Sequence, residues 1–234
     1  MLFENKVLSY KSYINDFTPD IYKDFDLKSN KIGLQKKVQD LFKGKNVNYT
    51  EALAAWHPKY RNEYPLVNSK TKYLDLFNSS TNIVVIGIGG SFEGPKLLIE
   101  SIGNTVSNYI FITGSDSDEF KEKISKLQPT ETIFVVSSKS FTTKETIETL
   151  NNAIAWSRDM SKFLAITSNK TEALKYNIKN IVEFDKEIGG RYSIWSDISL
   201  PAEWENNTEL KENFIMGGKQ ADIDLQNNNN NYFK

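Results

Sequence analysis

The chain of 234 residues contains no cysteine and only one histidine, His57. Without cysteine, disulfide bonds, thiolate catalysis and thiolate metal sites are excluded. A single histidine disfavours a histidine-based metal site and a Ser–His catalytic triad. His57 lies beside Trp56 on a helical pattern, which is more typical of a packed or capping residue than of a catalytic one.

The chain also lacks a strong net charge and a long apolar run. Its formal net charge of -1 disfavours nucleic acid as a partner. The first residues, MLFENKVLSYKSYIND, are mixed polar and acidic, unlike a signal peptide. The longest apolar stretch, around residues 83–88, is too short to cross a bilayer. We therefore expect a cytoplasmic protein with no membrane partner.

From about residue 80, short apolar runs alternate with polar segments of helical periodicity. Strands are predicted at 83–88, 109–113, 132–136, 163–167 and, more weakly, 180–184, and helices at 96–102, 119–127, 142–156 and 171–176. This alternation is typical of βαβ units and predicts an α/β fold with a parallel sheet buried on both faces.

The preceding part of the chain has a different pattern. Residues 1–60 are predicted to form an N-terminal helical segment, with one helix from Leu34 to near Gly44 and another that ends before Pro58. Residues 61–226 then form the α/β domain. From residue 221 the chain shows neither helical nor strand periodicity, and 227–234, which begins with five asparagines, is predicted to be a disordered tail.

Two loops of small residues stand out, VVIGIGGSFEGP (84–95) and FVVSSKSFTTKET (134–146). Each follows a β-like run and precedes a helical pattern, an arrangement that directs backbone N–H groups and a helix dipole at a bound anion. One such loop is often only a strand-to-helix turn or a capped loop with a solvated lysine. Two in one chain suggest a phosphate held from two sides.

The first loop does not fit either common nucleotide motif. The dinucleotide pattern G-x-G-x-x-G, counted from Gly87, requires glycine where Phe92 stands, and no Walker pattern occurs. What remains is a glycine loop with one hydroxyl, Ser91, which suits a smaller phosphate.

The second loop crowds hydroxyl groups around one lysine. Hydroxyl and N–H groups donate hydrogen bonds to phosphate oxygens, and an ammonium group adds charge. Thr142 followed by Glu145 is a capping-box signature, which predicts that this loop lies at a helix N-terminus. The residues of the cluster are Ser138, Lys139, Ser140, Thr142 and Thr143.

A third motif, GGRYSIWSDISLPA, follows the weak fifth strand. Gly189 and Gly190 allow a close backbone approach, and Arg191 could stabilise a phosphate or an enolate-like oxygen. An isolated GGR is more often a glycine turn with a surface arginine. The nearest carboxylates, Asp185 and Glu187, are weak general-base candidates, because acidic residues before a turn are usually solvated.

Together, in this order and at this spacing, the three motifs resemble those of the glucose-6-phosphate isomerase family. The segment VNYTEALAAWHPKYR is similar to an upstream segment of that family, with Thr50, Glu51, His57 and Arg61 at matching places. The resemblance reaches to about residue 225. It implies a helical segment followed by the first of two sugar-isomerase domains, each a flavodoxin-like, three-layer fold of a parallel sheet flanked by helices.

The resemblance also implies roles for particular residues. The phosphate of glucose 6-phosphate or fructose 6-phosphate would be held by Gly90, Ser91, Ser138, Lys139, Ser140 and Thr143, with Ser140 standing where the family usually has threonine. Gly190 would lie near the substrate, and Arg191 would stabilise the cis-enediol intermediate. No metal or organic cofactor is implied. The implied reaction is the isomerisation of glycolysis and gluconeogenesis, carried out by a homodimer.

One family motif is absent from the sequence. The resemblance implies that the base is the glutamate of an ESNG-type motif, and this chain has no ESNG. We therefore expect an N-terminal portion of an isomerase that is inactive or nearly so alone, with the second domain as its missing partner surface. Two alternatives remain open: a stand-alone sugar-phosphate-binding module, or assembly with a partner chain that carries the other half.

Overall fold

The computed structural model describes residues 19–43, 45, 73–103, 105–186, 188–203 and 208–226. Several sequence predictions fall outside these ranges. They are the helix ending before Pro58, the family-like segment with Thr50, Glu51, His57 and Arg61, the carboxylate of Glu187, and the tail 227–234.

Eight helices and five strands are described. The helices are α1 (Pro19–Lys31), α2 (Leu34–Phe42), α3 (Leu74–Asn78), α4 (Gly90–Ile102), α5 (Ser117–Ile124), α6 (Lys144–Ser157), α7 (Lys170–Leu174) and α8 (Thr208–Gln226). The strands are β1 (Asn82–Ile86), β2 (Asn108–Ile112), β3 (Thr132–Ser137), β4 (Phe163–Thr167) and β5 (Asn180–Glu183). Short 3-10 helices cover Pro129–Glu131, Met160–Lys162, Gly190–Trp195 and Asp197–Glu203.

The five strands form one parallel sheet in the order β2-β1-β3-β4-β5, which confirms the predicted α/β fold. Ile86 of β1 pairs with Ile112 of β2 and with Val136 of β3, so the carboxyl ends of these strands are level. From β1 the chain crosses to β2 on one side, whereas from β3 it continues to β4 on the other. Ligands of open α/β sheets bind in the crevice at such a switch point.

Both faces of the sheet are covered. On one face, Val84, Phe134 and Phe163 pack in a cluster with residues of α5 and α6. On the other, strand residues such as Val85 and Leu164 pack with α3 and with the 3-10 helix Asp197–Glu203. Strands buried on both faces read as continuous apolar runs, which is why β1, β3 and β4 were identifiable from the sequence.

Two segments differ from the prediction. Helix α4 begins at Gly90, six residues before the predicted start. The prediction missed its first turns because they contain Gly90, Gly94 and Pro95, which are poor helix formers. Helix α8 continues to Gln226, so the expectation that 221–226 lacks helical structure was wrong. The domain bounds 1–60, 61–226 and 227–234 stay predictions. Among the residues described, no helix is both long and apolar enough to span a membrane.

Helix α5 has a side-chain cap that offers a test of the fold. The carboxylate of Asp116 accepts hydrogen bonds from the N–H groups of Asp118 (2.8 Å) and Glu119 (3.2 Å). These bonds, above all the one from Asp118, hold the pKa of Asp116 below its ordinary value of 3.8.

Asp116→Ala is expected to lower the unfolding temperature at pH 7 by roughly 2–4 °C. A lowered folded-state pKa means that the carboxylate stabilises the fold above its unfolded pKa and loses this effect as the pH falls through the folded value. Thermal unfolding followed by circular dichroism should show the gap between wild type and variant closing in acid. Asp118→Ala, which removes a neighbouring exposed carboxylate without removing the cap, is the control; an equal loss there, or a gap that persists in strong acid, would contradict the prediction.

Candidate functional site

The loops at the carboxyl edge of the sheet surround a cleft of about 510 Å³. Of the residues to which the family resemblance assigned a role at the substrate, all line this cleft except Arg191. The predicted residues that line it are Gly90, Ser91, Ser138, Lys139, Ser140, Thr143 and Gly190. Arg191 is exposed and follows directly after Gly190, but its side chain is not part of the lining.

The conformation of the first loop requires glycine at two positions. Gly89 has φ 58° and ψ −125°, a conformation that L side chains rarely adopt, and α4 begins at the next residue. Gly90 lies against the backbone of Gly190, where a Cβ atom on Gly90 would overlap the Gly190 carbonyl. The first loop is therefore in direct contact with the GGR turn, although the two are distant in sequence.

The second loop is organised by its own hydroxyl groups. Ser138 Oγ accepts a hydrogen bond from the Phe141 N–H (3.1 Å) and lies 3.5 Å from Thr143 Oγ1. Ser140 Oγ accepts a hydrogen bond from Thr142 Oγ1 (2.9 Å). These bonds hold the loop as a tight turn with its hydroxyls close together.

Phe141, at the tip of this loop, adopts a left-handed conformation with φ 54°. This conformation is unfavourable for a residue with a bulky side chain. The ring is 1% exposed, belongs to the core and lies 6.0 Å from the ring of Tyr176. Burial of the ring offsets the backbone strain and anchors the loop to the core.

The predicted capping box at Thr142 and Glu145 is wrong. Helix α6 begins at Lys144, so Thr143 is its N-cap residue, and no side chain caps the helix. Thr142 cannot act as the cap because it precedes this position and its hydroxyl bonds to Ser140. Helix α4 likewise begins without a side-chain cap. Both helices thus start at the cleft without a side-chain cap, and the positive end of a helix dipole favours an anion, although the Ser91 and Phe92 N–H groups of α4 already donate to the backbone carbonyls of Ile88 (3.2 Å) and Gly89 (2.9 Å).

Lys139 connects three of the loops. Its ammonium group donates a hydrogen bond to the carbonyl of Ile188 (2.9 Å), directly before the GGR turn. Its backbone carbonyl accepts hydrogen bonds from Thr167 Oγ1 (3.1 Å) and from the N–H (3.1 Å) and hydroxyl (2.8 Å) of Ser168. Lys139 therefore positions the loops after β3, β4 and β5 relative to one another.

Sequence reasoning missed part of the lining. The additional polar residues are Ser137, Thr146, Ser168, Asn169 and Lys186. Ser168 and Asn169 directly follow the predicted fourth strand, and Lys186 follows the fifth. The rule that carboxyl ends of parallel strands share one edge would have identified these three.

The charged side chains in the described lining of the cleft are all positive. Lys139 and Lys186 line it, and no Asp, Glu or His does so within the described part of the chain. Asp185, one of the two weak base candidates, is described but is not part of the lining. The same residues contain no group of three or more His, Asp or Glu that could hold a metal ion. The arrangement is suited to binding an anion.

Comparisons with known proteins agree with one another. Residues 67–231 match the family model described as phosphoglucose isomerase. The glucose-6-phosphate isomerase of Legionella pneumophila (strain Paris) is 30% identical over an alignment of 231 residues, which covers 85% of this chain and 46% of the relative. The chain thus spans about half the length of the curated relatives it matches.

Two solved structures share the fold. A hypothetical protein of Thermus thermophilus superposes with a TM-score of 0.70 at 18% identity, covering 88% of this chain and 51% of that one. A glucose-6-phosphate isomerase of Chlamydia trachomatis gives a TM-score of 0.57 at 22% identity, covering 82% and 38% respectively. At these identities the likeness concerns the fold alone.

Proposed function

The chain belongs to the phosphoglucose isomerase family, a family of enzymes, and from this premise we propose that its cleft binds a hexose 6-phosphate. Glucose 6-phosphate and fructose 6-phosphate are the proposed ligands. The phosphate contacts are assigned to the two loops after β1 and β3, and the sugar extends toward the GGR turn.

One observation carries this proposal: two helices without side-chain caps, α4 and α6, begin on either side of the switch point and face one cleft. Hydroxyl groups and two lysines line the same cleft, and no described carboxylate does so. A lining with hydrogen-bond donors and positive charge, and without a negatively charged acceptor among the described residues, favours a phosphate dianion. A volume of about 510 Å³ is within the range of small-molecule sites and leaves room for a sugar beside the phosphate.

The proposed reaction is the interconversion of glucose 6-phosphate and fructose 6-phosphate. Moving a proton between C1 and C2 requires a positioned base, which typically contributes about 10²–10⁴-fold to the rate. The described lining holds no carboxylate or imidazole for this task. We therefore propose that this polypeptide alone binds the sugar phosphate with little turnover, with Arg191 assigned to stabilise the enediol when a base is supplied.

The same observation favours a second candidate, a sugar-phosphate-binding module without catalysis. Addition of a second chain that supplies a base would raise isomerase activity under the first proposal and leave it unchanged under the second. Formation of a homodimer stays a prediction, which analytical ultracentrifugation of the purified chain would test.

Calorimetric titration of the purified chain tests the binding proposal. Glucose 6-phosphate and fructose 6-phosphate are expected to bind at least about 100-fold more tightly than glucose, because several charge-assisted hydrogen bonds go to the phosphate. Inorganic phosphate should bind and compete with both sugars. Equal affinity for glucose and glucose 6-phosphate would contradict the phosphate assignment, and turnover at an ordinary enzymatic rate in a coupled assay would contradict the absence of a base.

A further inference from the structure

Ser137, the last residue of β3, has a buried hydroxyl group without a partner. The residue is 1% exposed, and its Oγ atom makes no hydrogen bond to any described residue. Nevertheless Ser137 lines the cleft. Burying a hydroxyl group without a hydrogen bond costs free energy, so such a group calls for an explanation by function.

The position of Ser137 is central in the site. Val136 pairs with Ile86 in the sheet, so Ser137 comes level with Gly87, where the first loop begins. The next residue, Ser138, begins the second loop, and its hydroxyl already bonds to the Phe141 N–H. Ser137 therefore lies between the two loops to which the phosphate contacts are assigned.

The surroundings determine which partner the hydroxyl can find. The described lining offers ammonium and hydroxyl donors but no carboxylate acceptor. A phosphate dianion presents acceptor oxygens only, and a serine hydroxyl has one proton to donate. Rotation about the Cα–Cβ bond, which has three staggered positions, can move the oxygen, and rotation about the Cβ–Oγ bond directs its proton.

We infer that Ser137 is a further phosphate-binding residue, whose buried hydroxyl donates a hydrogen bond to a phosphate oxygen of the ligand. This inference rests on the proposed function, because it assigns one more contact to the same site. Without a ligand the hydroxyl destabilises the fold slightly, and with a ligand it contributes to affinity.

Ser80 provides a matched control. It is 8% exposed, and its Oγ atom also has no partner among the described residues. Ser80 lies between α3 and β1, at the amino edge of the sheet, and is not part of the cleft lining. The two serines thus share the same defect at opposite edges of the sheet.

The experiment compares Ser137→Ala and Ser80→Ala by thermal unfolding and by titration with inorganic phosphate and glucose 6-phosphate. Both variants are expected to unfold at or above the wild-type temperature, because each loses an unsatisfied hydroxyl. Ser137→Ala should raise the Kd of both ligands by the same factor, about 10-fold. Ser80→Ala should leave both Kd values unchanged.

Three results would overturn the inference. Unchanged Kd values in Ser137→Ala would contradict the phosphate contact. Weaker binding of glucose 6-phosphate alone, with unchanged affinity for inorganic phosphate, would place the contact on the sugar instead. A clear fall in the unfolding temperature of Ser137→Ala would show that the hydroxyl stabilises the unliganded protein. If the wild type binds neither phosphate compound, the proposed function fails as well, whereas normal wild-type binding with an unaffected Ser137→Ala removes this inference alone.

Discussion

Replacement of Gly90 by alanine is expected to destabilise the junction between the first loop and the GGR turn. A Cβ atom at this position would overlap the carbonyl of Gly190 and lie 2.9 Å from Ser193 Oγ. The turn cannot easily retreat, because Ser193 Oγ donates a hydrogen bond to the Gly190 carbonyl (2.6 Å) and Tyr192 N–H donates to Gly189 (3.0 Å). Relief requires movement of backbone, not of a flexible side chain.

The expected loss for Gly90→Ala is about 3 kcal/mol in the free energy of unfolding, which corresponds to roughly 6–12 °C in the unfolding temperature. Calorimetric or circular-dichroism unfolding measures this directly. Affinity for inorganic phosphate should fall too, since the start of α4 is displaced.

Two other glycines serve as controls for Gly90→Ala. Gly190 is the partner in the contact, yet a Cβ atom on it would meet nothing within 4 Å, so Gly190→Ala should retain the stability of the wild type. Gly217 lies within α8 with equally open space, and alanine there should stabilise the helix slightly. If Gly90→Ala unfolds at the wild-type temperature, the close contact between the loops is wrong.

The strands could be predicted because their signal is local. The predicted fourth strand, 163–167, matches β4 residue for residue, and the other strand ends differ by at most two positions. Runs of Val, Ile and Phe buried on both faces carry this signal in the sequence itself. The start of α4 was missed because its signal is not local. Glycines and Pro95 disfavour a helix there, and packing against the rest of the domain stabilises it.

The chemistry of the candidate site was clearest in the sequence where it lies on one loop. The hydroxyls and the lysine of the second loop are adjacent in sequence, so their type and order indicated an anion. The bond from Lys139 to Ile188 joins residues 49 positions apart, and the contact of Gly90 with Gly190 is longer still. No local pattern encodes such pairings. The left-handed conformation of Phe141 and the unpartnered hydroxyl of Ser137 also leave no signal in the sequence, where this segment reads as an ordinary change from apolar to polar residues.

Loss of the Lys139 ammonium group is expected to have the largest effect on binding. In Lys139→Ala, the cleft loses one of the two lysines of its described lining and the hydrogen bond that ties the second loop to Ile188. A hydrogen bond to a charged group is worth about 1.5–3 kcal/mol, so the Kd for glucose 6-phosphate should rise roughly 10- to 150-fold. Addition of Ser91→Ala should weaken binding further, because it removes a donor from the opposite loop.

Lys144→Ala is the matched control for this charge. Lys144 begins α6 only five residues further along the chain, its side chain is 84% exposed and lies 3.8 Å from Glu148, and it is not part of the cleft lining. Both variants remove one positive charge near the helix start, so a general electrostatic effect would weaken binding equally and would be screened by salt. A specific contact predicts loss in Lys139→Ala alone, most of it retained at high ionic strength. Unchanged affinity of the Lys139→Ala, Ser91→Ala double variant in calorimetry would refute the assignment of the phosphate to these two loops.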